Sequence, residues 1–267
     1  LALLAKLKVE SFAVQGLVLC PTRELADQVA EELRRLARGM ANIKILTLCG
    51  GAPFGPQLGS LEHGAHIVVG TPGRIDEHLR KGSLILDSLS ILVLDEADRM
   101  LDMGFQATID DIIADTPTDR QTLLFSATFP DEQSSGGLTV MTRGVMREPV
   151  MVKIAEVHDA TTIQQHFYSV ADEDARFDAL RQLLLVYRPA TSVVFCNTKR
   201  ETQAVAEQLT DVGFSAVALN GDLEQKDRDR ILILFANQSA SILVATDVAA
   251  RGLDIAQLDA VFNYQIA

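Results

Sequence analysis

The strongest constraint on this chain's fold is that it repeats itself across a long distance. Leu17 to Leu33 aligns without gaps on Val193 to Leu209, with Val, Cys, Thr, Val-Ala-Glu and Leu coinciding. Leu48-Cys49-Gly50 then matches Leu219-Asn220-Gly221, and Ile67 to Thr71 matches Ile242 to Thr246. Matches in the same order over so much chain mark duplication of a whole domain, not a short-period solenoid. Each copy alternates short apolar runs with helical patterns, the signature of a parallel sheet covered by helices. In the first half, strands are predicted at Gly16–Cys20, Lys44–Cys49, His66–Gly70, Ile91–Leu94 and Gln121–Phe125. A helix is predicted from Glu24 to Arg38, with Leu25, Val29, Leu33 and Leu36 on one face. The expected fold is therefore α/β, with domains at 1–154 and 163–267 joined by a polar, aperiodic linker at 155–162. With 267 residues and 48% hydrophobic content, two ordinary cores can be buried.

The run Ser90-Ile91-Leu92-Val93-Leu94 is apolar on both potential faces, as a strand inside a parallel sheet would be. It ends in Asp95-Glu96-Ala97-Asp98. Open α/β sheets bind ligands in the crevice beyond the carboxyl ends of their strands. Paired carboxylates there suit nucleotide chemistry: Asp95 can hold Mg²⁺ through water, and Glu96 can reach a water aimed at a γ-phosphate. An acid-rich helix N-terminus is the plainer reading of the tetrapeptide alone. The other strands end comparably, in Pro21-Thr22-Arg23, Gly50-Gly51, Thr71-Pro72-Gly73-Arg74 and Ser126-Ala127-Thr128. For any one of these, ordinary turn chemistry or a surface cation is the alternative.

Cys20, Cys49 and Cys196 are widely separated and form no CxxC pair, so they read as small buried residues in a reducing cytoplasm. His63 and His66 fall in a polar turn region and read as surface residues. No apolar run approaches the roughly 18 residues that cross a bilayer. Net charge is −12, which argues against holding polyanions by bulk electrostatics. A nucleic-acid partner would need local basic and backbone N–H clusters. Leu1 to Leu7 looks like the middle of an amphipathic helix, and Val261 to Ala267 like a strand at the chain's end. The expectation is an internal fragment of a longer protein.

Taken together, these motifs resemble the DEAD-box family of RNA helicases, superfamily 2 proteins with two RecA-like domains, over almost the whole chain. Thr22 to Ala30, Lys44 to Gly55 and Gly221 to Asp229 are most similar to its bacterial DbpA-like branch, which acts on ribosomal RNA in large-subunit assembly. The resemblance implies that Pro21, Thr22, Arg23, Gly50, Gly51, Thr71, Pro72, Gly73 and Arg74 contact RNA. In the second half it implies the same of Asn197, Thr198, Gln225, Arg228 and Thr246. It implies ATP and Mg²⁺ as cofactors, with Asp95 and Glu96 at the reacting phosphate and Asp98 bonded to the Ser126/Thr128 loop. Asp247, Gly252 and Asp254 are implied on the nucleotide side, Asp254 at the ribose. A monomeric, cytoplasmic core acting on RNA without reading its sequence follows, the two domains closing over ATP and RNA with the carboxylates facing the gap.

The chain also departs from the family pattern. No GxxxxGK[ST] phosphate loop occurs, nor the final His-Arg-x-Gly-Arg motif, so the polypeptide as given is expected not to hydrolyse ATP. Asn220 stands where His is usual, and Asp76, just after Arg74, where an apolar residue is common. Gln133 to Gly137 falls where a helix is expected, so that helix should be short, shifted or frayed. A non-catalytic RNA clamp and a DNA translocase of the same superfamily are the alternatives. A pure clamp has no need of Glu96.

Overall fold

The computed structural model describes residues 1–128, 137–153, 163–172, 174–250 and 258–265. The chain divides into two compact units, Leu1–Met151 and Val152–Ala267. The predicted linker, 155–162, lies outside the described residues, as do Gln133 to Gly136, Gly252 and Asp254.

The first unit runs α1 (Ala2–Ala5), β1 (Gly16–Leu19), α2 (Arg23–Leu36), β2 (Ile45–Leu48), α3 (Phe54–Glu62), β3 (Ile67–Gly70) and α4 (Pro72–Arg80). It continues with β4 (Ile91–Leu94), α5 (Ala97–Asp102), α6 (Gln106–Ala114), β5 (Gln121–Leu124) and α7 (Gly137–Val145). Its five strands lie in the order β2-β3-β1-β4-β5, all paired in parallel. The second unit runs α8 (Asp174–Tyr187), β6 (Ser192–Cys196), α9 (Lys199–Asp211), β7 (Ala216–Leu219), α10 (Gln225–Ala236), β8 (Ile242–Thr246), α11 (Asp247–Ala250) and β9 (Ala260–Asn263). Its order, β7-β8-β6-β9, is that of the first unit without the last strand. The repeat read in the sequence is thus a repeat of topology: β1 pairs with β3 at Val18↔Val69, and β6 with β8 at Val194↔Val244.

Period-two alternation sorts each strand between two apolar layers. On one face of the first sheet Leu17, Leu19, Leu92 and Leu94 pack with Ile75 of α4, Met100 of α5 and Ile109 and Ile112 of α6. On the other, Val18, Cys20, Ile67, Val69, Ile91 and Val93 meet Ala26 and Ala30 of α2. In the second unit α8 and α9 cover one face, and α10 with α11 the other. A fully buried Leu or Ile contributes about 1.5–3 kcal/mol, so these layers hold the strand ends, and the site upon them, in place.

Three expectations need correction. Leu36 is exposed: Ala26 and Ala30 form the buried stripe of α2, flanked by half-buried Leu25, Val29 and Leu33. The chain tightens into a 3₁₀ turn at Ala37–Gly39, and Ala37 takes the buried position instead. His66 is fully buried, not on the surface. Its Nδ1 accepts the Lys44 N–H at 3.0 Å and its Nε2 lies 2.9 Å from the Val9 carbonyl, so it joins three segments that are remote in sequence. His63 is exposed, as expected. The predicted strand ends run one residue long at Cys20, Cys49 and Phe125, although the Cys20 and Phe125 N–H groups still donate to the Gly70 and Leu94 carbonyls at 2.9 and 2.8 Å.

The three cysteines are free and buried. Burial pushes the thiols of Cys49 and Cys196 up to about 12, which leaves them protonated and inert at neutral pH. No helix among the described residues is long and apolar enough to cross a membrane.

Candidate functional site

The acidic cluster sits where the central strands end. Asp95 follows β4, and its N–H donates to the Leu19 carbonyl at 3.0 Å, extending the β1–β4 ladder by one bond. Asp95 Oδ1 then accepts the Glu96 N–H at 3.1 Å. Glu96 is left-handed, φ 48° and ψ 53°, at the N-cap of α5. Few non-glycine residues adopt this conformation, and it costs of order 1–3 kcal/mol. It turns the chain sharply from strand into helix. Ala97, buried immediately after it, donates to the Phe125 carbonyl at 3.0 Å and ties the start of α5 to the end of β5.

Glu96 Oε2 is buried with no hydrogen-bond partner among the described residues, and Arg99 Nε lies 3.9 Å from it. Burial raises the pKa of Glu96, and the neighbouring Asp95 and Asp98 charges add to the rise against Arg99. Asp95 is raised too, by burial, against the stabilising Glu96 N–H. Asp98 goes the other way. Burial works to raise it, but the Thr128 hydroxyl and N–H, donating to Oδ2 at 2.6 and 3.1 Å, hold it below its ordinary value. Ser126 Oγ donates to the Thr128 carbonyl at 2.6 Å, closing the loop on itself. Asp98, Ser126 and Thr128 therefore form one hydrogen-bonded group beside the less well satisfied Asp95 and Glu96.

Two adjacent carboxylates destabilised as anions by burial fit a hard divalent cation. Mg²⁺ is commonly held by one or two carboxylates plus water and phosphate oxygens. Asp95, at the end of β4, is the residue that could hold such an ion.

The other strand ends of the first unit lie along the same edge of the sheet. Thr22 caps α2, its Oγ1 accepting the Leu25 N–H at 3.3 Å while its own O–H remains a donor. Pro21 precedes it at the end of β1, and Arg23 Nε lies 3.5 Å from Asp27 Oδ2. Gly50 and Gly51 are exposed, and Gly51 takes φ 77°, a value that favours glycine. The Gly50 N–H reaches Thr71 Oγ1 only at 3.5 Å. Thr71 is the N-cap residue of α4, Pro72 fills the first helical position, and exposed Gly73 faces open space.

Arg74 differs from the solvent-facing cation its sequence suggests. Its side chain is 11% exposed, and it donates to Gln57 Oε1 and the Ala52 carbonyl, each at 3.0 Å, while Nε sits 3.1 Å from Glu77. The unexpected residues here are Gln57 and His78, which complete that network. The available signal was that a glycine pair needs something to hold it, and Gln57 is the first polar side chain after Gly51.

In the second unit Thr198 repeats the Thr22 cap, accepting the Glu201 N–H at 3.2 Å with φ −126° in both residues. Asn197 precedes it, its N–H donating to Gln265 Oε1 at 3.3 Å. Lys199, beside the cap, pairs with Asp222. Gln225 opens α10 and donates to Asp229 at 2.8 Å. Arg228 Nη2 donates to the Ala249 carbonyl at 2.6 Å, and Thr246 Oγ1 accepts the Ala249 N–H at 3.3 Å. Arg228, Thr246 and α11 thus form one local group, with exposed Asp247 opening α11. Asn220 is buried, and its Oδ1 accepts the Asp222 N–H at 3.0 Å.

Comparison with known proteins places this arrangement. A family model described as DEAD/DEAH box helicase matches residues 1–135, and one described as helicase conserved C-terminal domain matches residues 175–267. The chain is 54% identical to ATP-dependent RNA helicase DbpA of Escherichia coli (strain K12) over 267 residues, covering 100% of this chain and 57% of that protein. It is 42% identical to DEAD-box ATP-dependent RNA helicase CshA of Geobacillus kaustophilus (strain HTA426), covering 98% of this chain and 55% of that protein. The chain thus spans little more than half the length of these relatives. Among solved structures, S. cerevisiae Dbp5 bound to RNA and ADP BeF3 superposes with a TM-score of 0.85 at 28% identity, covering 99% of this chain and 66% of that one. The chain belongs to the DEAD-box RNA helicase family, as two tandem RecA-like units.

Proposed function

We propose that this chain is the core of an ATP-dependent RNA helicase, which couples ATP binding and hydrolysis to local unwinding of RNA duplexes. The observation that carries the reading is Glu96. It combines a left-handed backbone at the strand-to-helix turn with a carboxylate oxygen that is buried without a hydrogen-bond partner among the described residues, directly after Asp95. In that reading Glu96 takes the proton of the water that attacks the γ-phosphate, and Asp95 holds Mg²⁺, which neutralises developing phosphate charge. A non-catalytic clamp would have no use for the strain at Glu96. Asp98 senses the state of the nucleotide through Thr128 and Ser126. Asp247, Gly252 and Asp254 serve the nucleotide from the second unit, with 155–162 as the linker between domains 1–154 and 163–267.

The RNA strand runs along Pro21, Thr22, Arg23, Gly50, Gly51, Thr71, Pro72, Gly73 and Arg74, and in the second unit along Asn197, Thr198, Gln225, Arg228 and Thr246. These offer hydroxyls, N–H groups and a few cations to phosphates and 2′-hydroxyls, contacts that read no sequence. Such local donors are compatible with a net charge of −12. Likeness to DbpA supports ribosomal RNA as target and large-subunit assembly as setting. The core works as a monomer in the cytoplasm, whose reducing conditions suit three free, buried thiols. The 267-residue polypeptide itself is inactive as an ATPase, because its sequence holds no phosphate-loop lysine to engage the β- and γ-phosphates.

The test compares phosphate release by the longer protein carrying this core with RNA, DNA or neither present. Stimulation by RNA alone is the expected result. Equal stimulation by DNA would move the assignment to a DNA translocase, and no stimulation by either would favour the clamp.

A further inference from the structure

The glycine turn between β2 and α3 is gripped from both sides. Gln57 Nε2 donates to the Cys49 carbonyl at 3.0 Å, just before Gly50. Arg74 Nη2 donates to the Ala52 carbonyl at 3.0 Å, just after Gly51. The two grips are joined, since Arg74 Nη1 donates to Gln57 Oε1 at 3.0 Å. A carbonyl on one side and a guanidinium on the other leave the Gln57 amide a single sensible orientation, with Oε1 as acceptor. His78 Nε2 lies 3.3 Å from the same Oε1 and its Nδ1 2.8 Å from the Ser83 hydroxyl, which also donates to the His78 carbonyl at 3.1 Å. Phe54 stacks on His78 with centroids 4.2 Å apart, and Lys81 Nζ stands 3.9 Å from the Phe54 centroid. His78 is fully buried. A connected, part-buried polar network of this kind rigidifies what it touches.

We propose that Gln57 is a positioning residue for RNA binding, which presets the Gly50–Gly51 turn so that its backbone N–H groups meet a phosphate, with His78 and Phe54 locking Gln57 in turn. The inference rests on the RNA reading above. A glycine pair left to itself samples many conformations, and ordering it on binding costs affinity. The bracket meets that cost during folding. It leaves the turn's donors available, because the Gly50 N–H is engaged only by the long 3.5 Å contact to Thr71.

The experiment measures RNA-stimulated ATP turnover against single-stranded RNA concentration in the longer protein carrying this core. Gln57→Met keeps the side chain's length and removes its hydrogen bonds to Cys49, Arg74 and His78. Half-saturating RNA should rise about tenfold, the scale of losing one or two well-placed hydrogen bonds, with kcat at saturating RNA kept within about twofold. Gln57→Glu retains the acceptor facing Arg74 and loses only the donor to Cys49. It should give the same shift, and it carries the test if the Met variant does not fold. Unchanged half-saturation, or a fall in kcat without a change in half-saturation, overturns the positioning role. Gly51→Val separates the levels: if it weakens RNA binding and the Gln57 variants do not, only the bracket falls. If Gly51→Val binds RNA as before, the RNA edge itself is wrong and the bracket falls with it.

Discussion

At the residue scale, each group of the acidic cluster has its own physical environment. Asp98 is satisfied by Thr128 and held low, whereas Glu96 and Asp95 are raised by burial. Replacing Asp98 with Ala leaves the Thr128 N–H and hydroxyl without their acceptor. The loop at Ser126 to Thr128 should then exchange its amide hydrogens faster, and turnover in the longer protein should fall at least tenfold, because a hydrogen bond to a charged group is worth about 1.5–3 kcal/mol. Normal turnover with a loosened loop would separate Asp98 from any coupling role. Gly70 makes a different prediction. A Cβ there would sit 2.3 Å from the Leu48 carbonyl oxygen and 2.8 Å from Ile75, so Gly70→Ala should cost about 1–3 kcal/mol in a urea melt. The acidic tetrapeptide was legible in the sequence because charge directly after a fully apolar strand is unusual. The burial of His66 was not legible, because Val9 and Lys44 meet it only in the folded sheet.

At the element scale, the duplicated strand-turn-helix is the unit of construction. Thr22 and Thr198 cap α2 and α9 with nearly the same geometry, so Thr22→Ala and Thr198→Ala should each cost about 1 kcal/mol. With two separate cores, each change should lower the unfolding transition of its own unit, read by hydrogen exchange unit by unit. α4 adds a pH effect. Burial, then the Arg74 charge, lowers the pKa of His78 from 6.5, so the unfolded chain takes up protons more readily than the folded one. Stability of the first unit should be level above pH about 6.5 and decline as pH falls below it. His78→Gln should remove that part of the decline. The strands and the repeat were legible because period-two and run-length patterns survive in the sequence. The end of α2 was not: helical periodicity continues through Leu36, and the 3₁₀ turn that sets Ala37 inside and Leu36 outside is chosen by packing.

At the scale of the whole molecule, the twin topologies present matching strand ends, with the acidic cluster on one unit and the Arg228, Thr246 and Asp247 group on the other. We propose that the first group is catalytic and the second supporting, with ATP turnover stimulated by RNA. Family membership was legible because the motifs occur in a fixed order at strand ends. The brace formed by Gln57, Arg74 and His78 was not, because Gln57 of α3 meets Arg74 and His78 of α4 only in the folded unit, and no spacing rule links the two helices. The central claim is that Glu96 is the base. The most direct measurement is RNA-stimulated ATP turnover, with ATP-dependent RNA binding alongside, in the longer protein carrying Glu96→Gln. The expected result is turnover reduced by about 10²–10⁴, the usual worth of a general base, with RNA binding kept because the proposed metal ligand Asp95 is untouched. Turnover unchanged from the parent would contradict it.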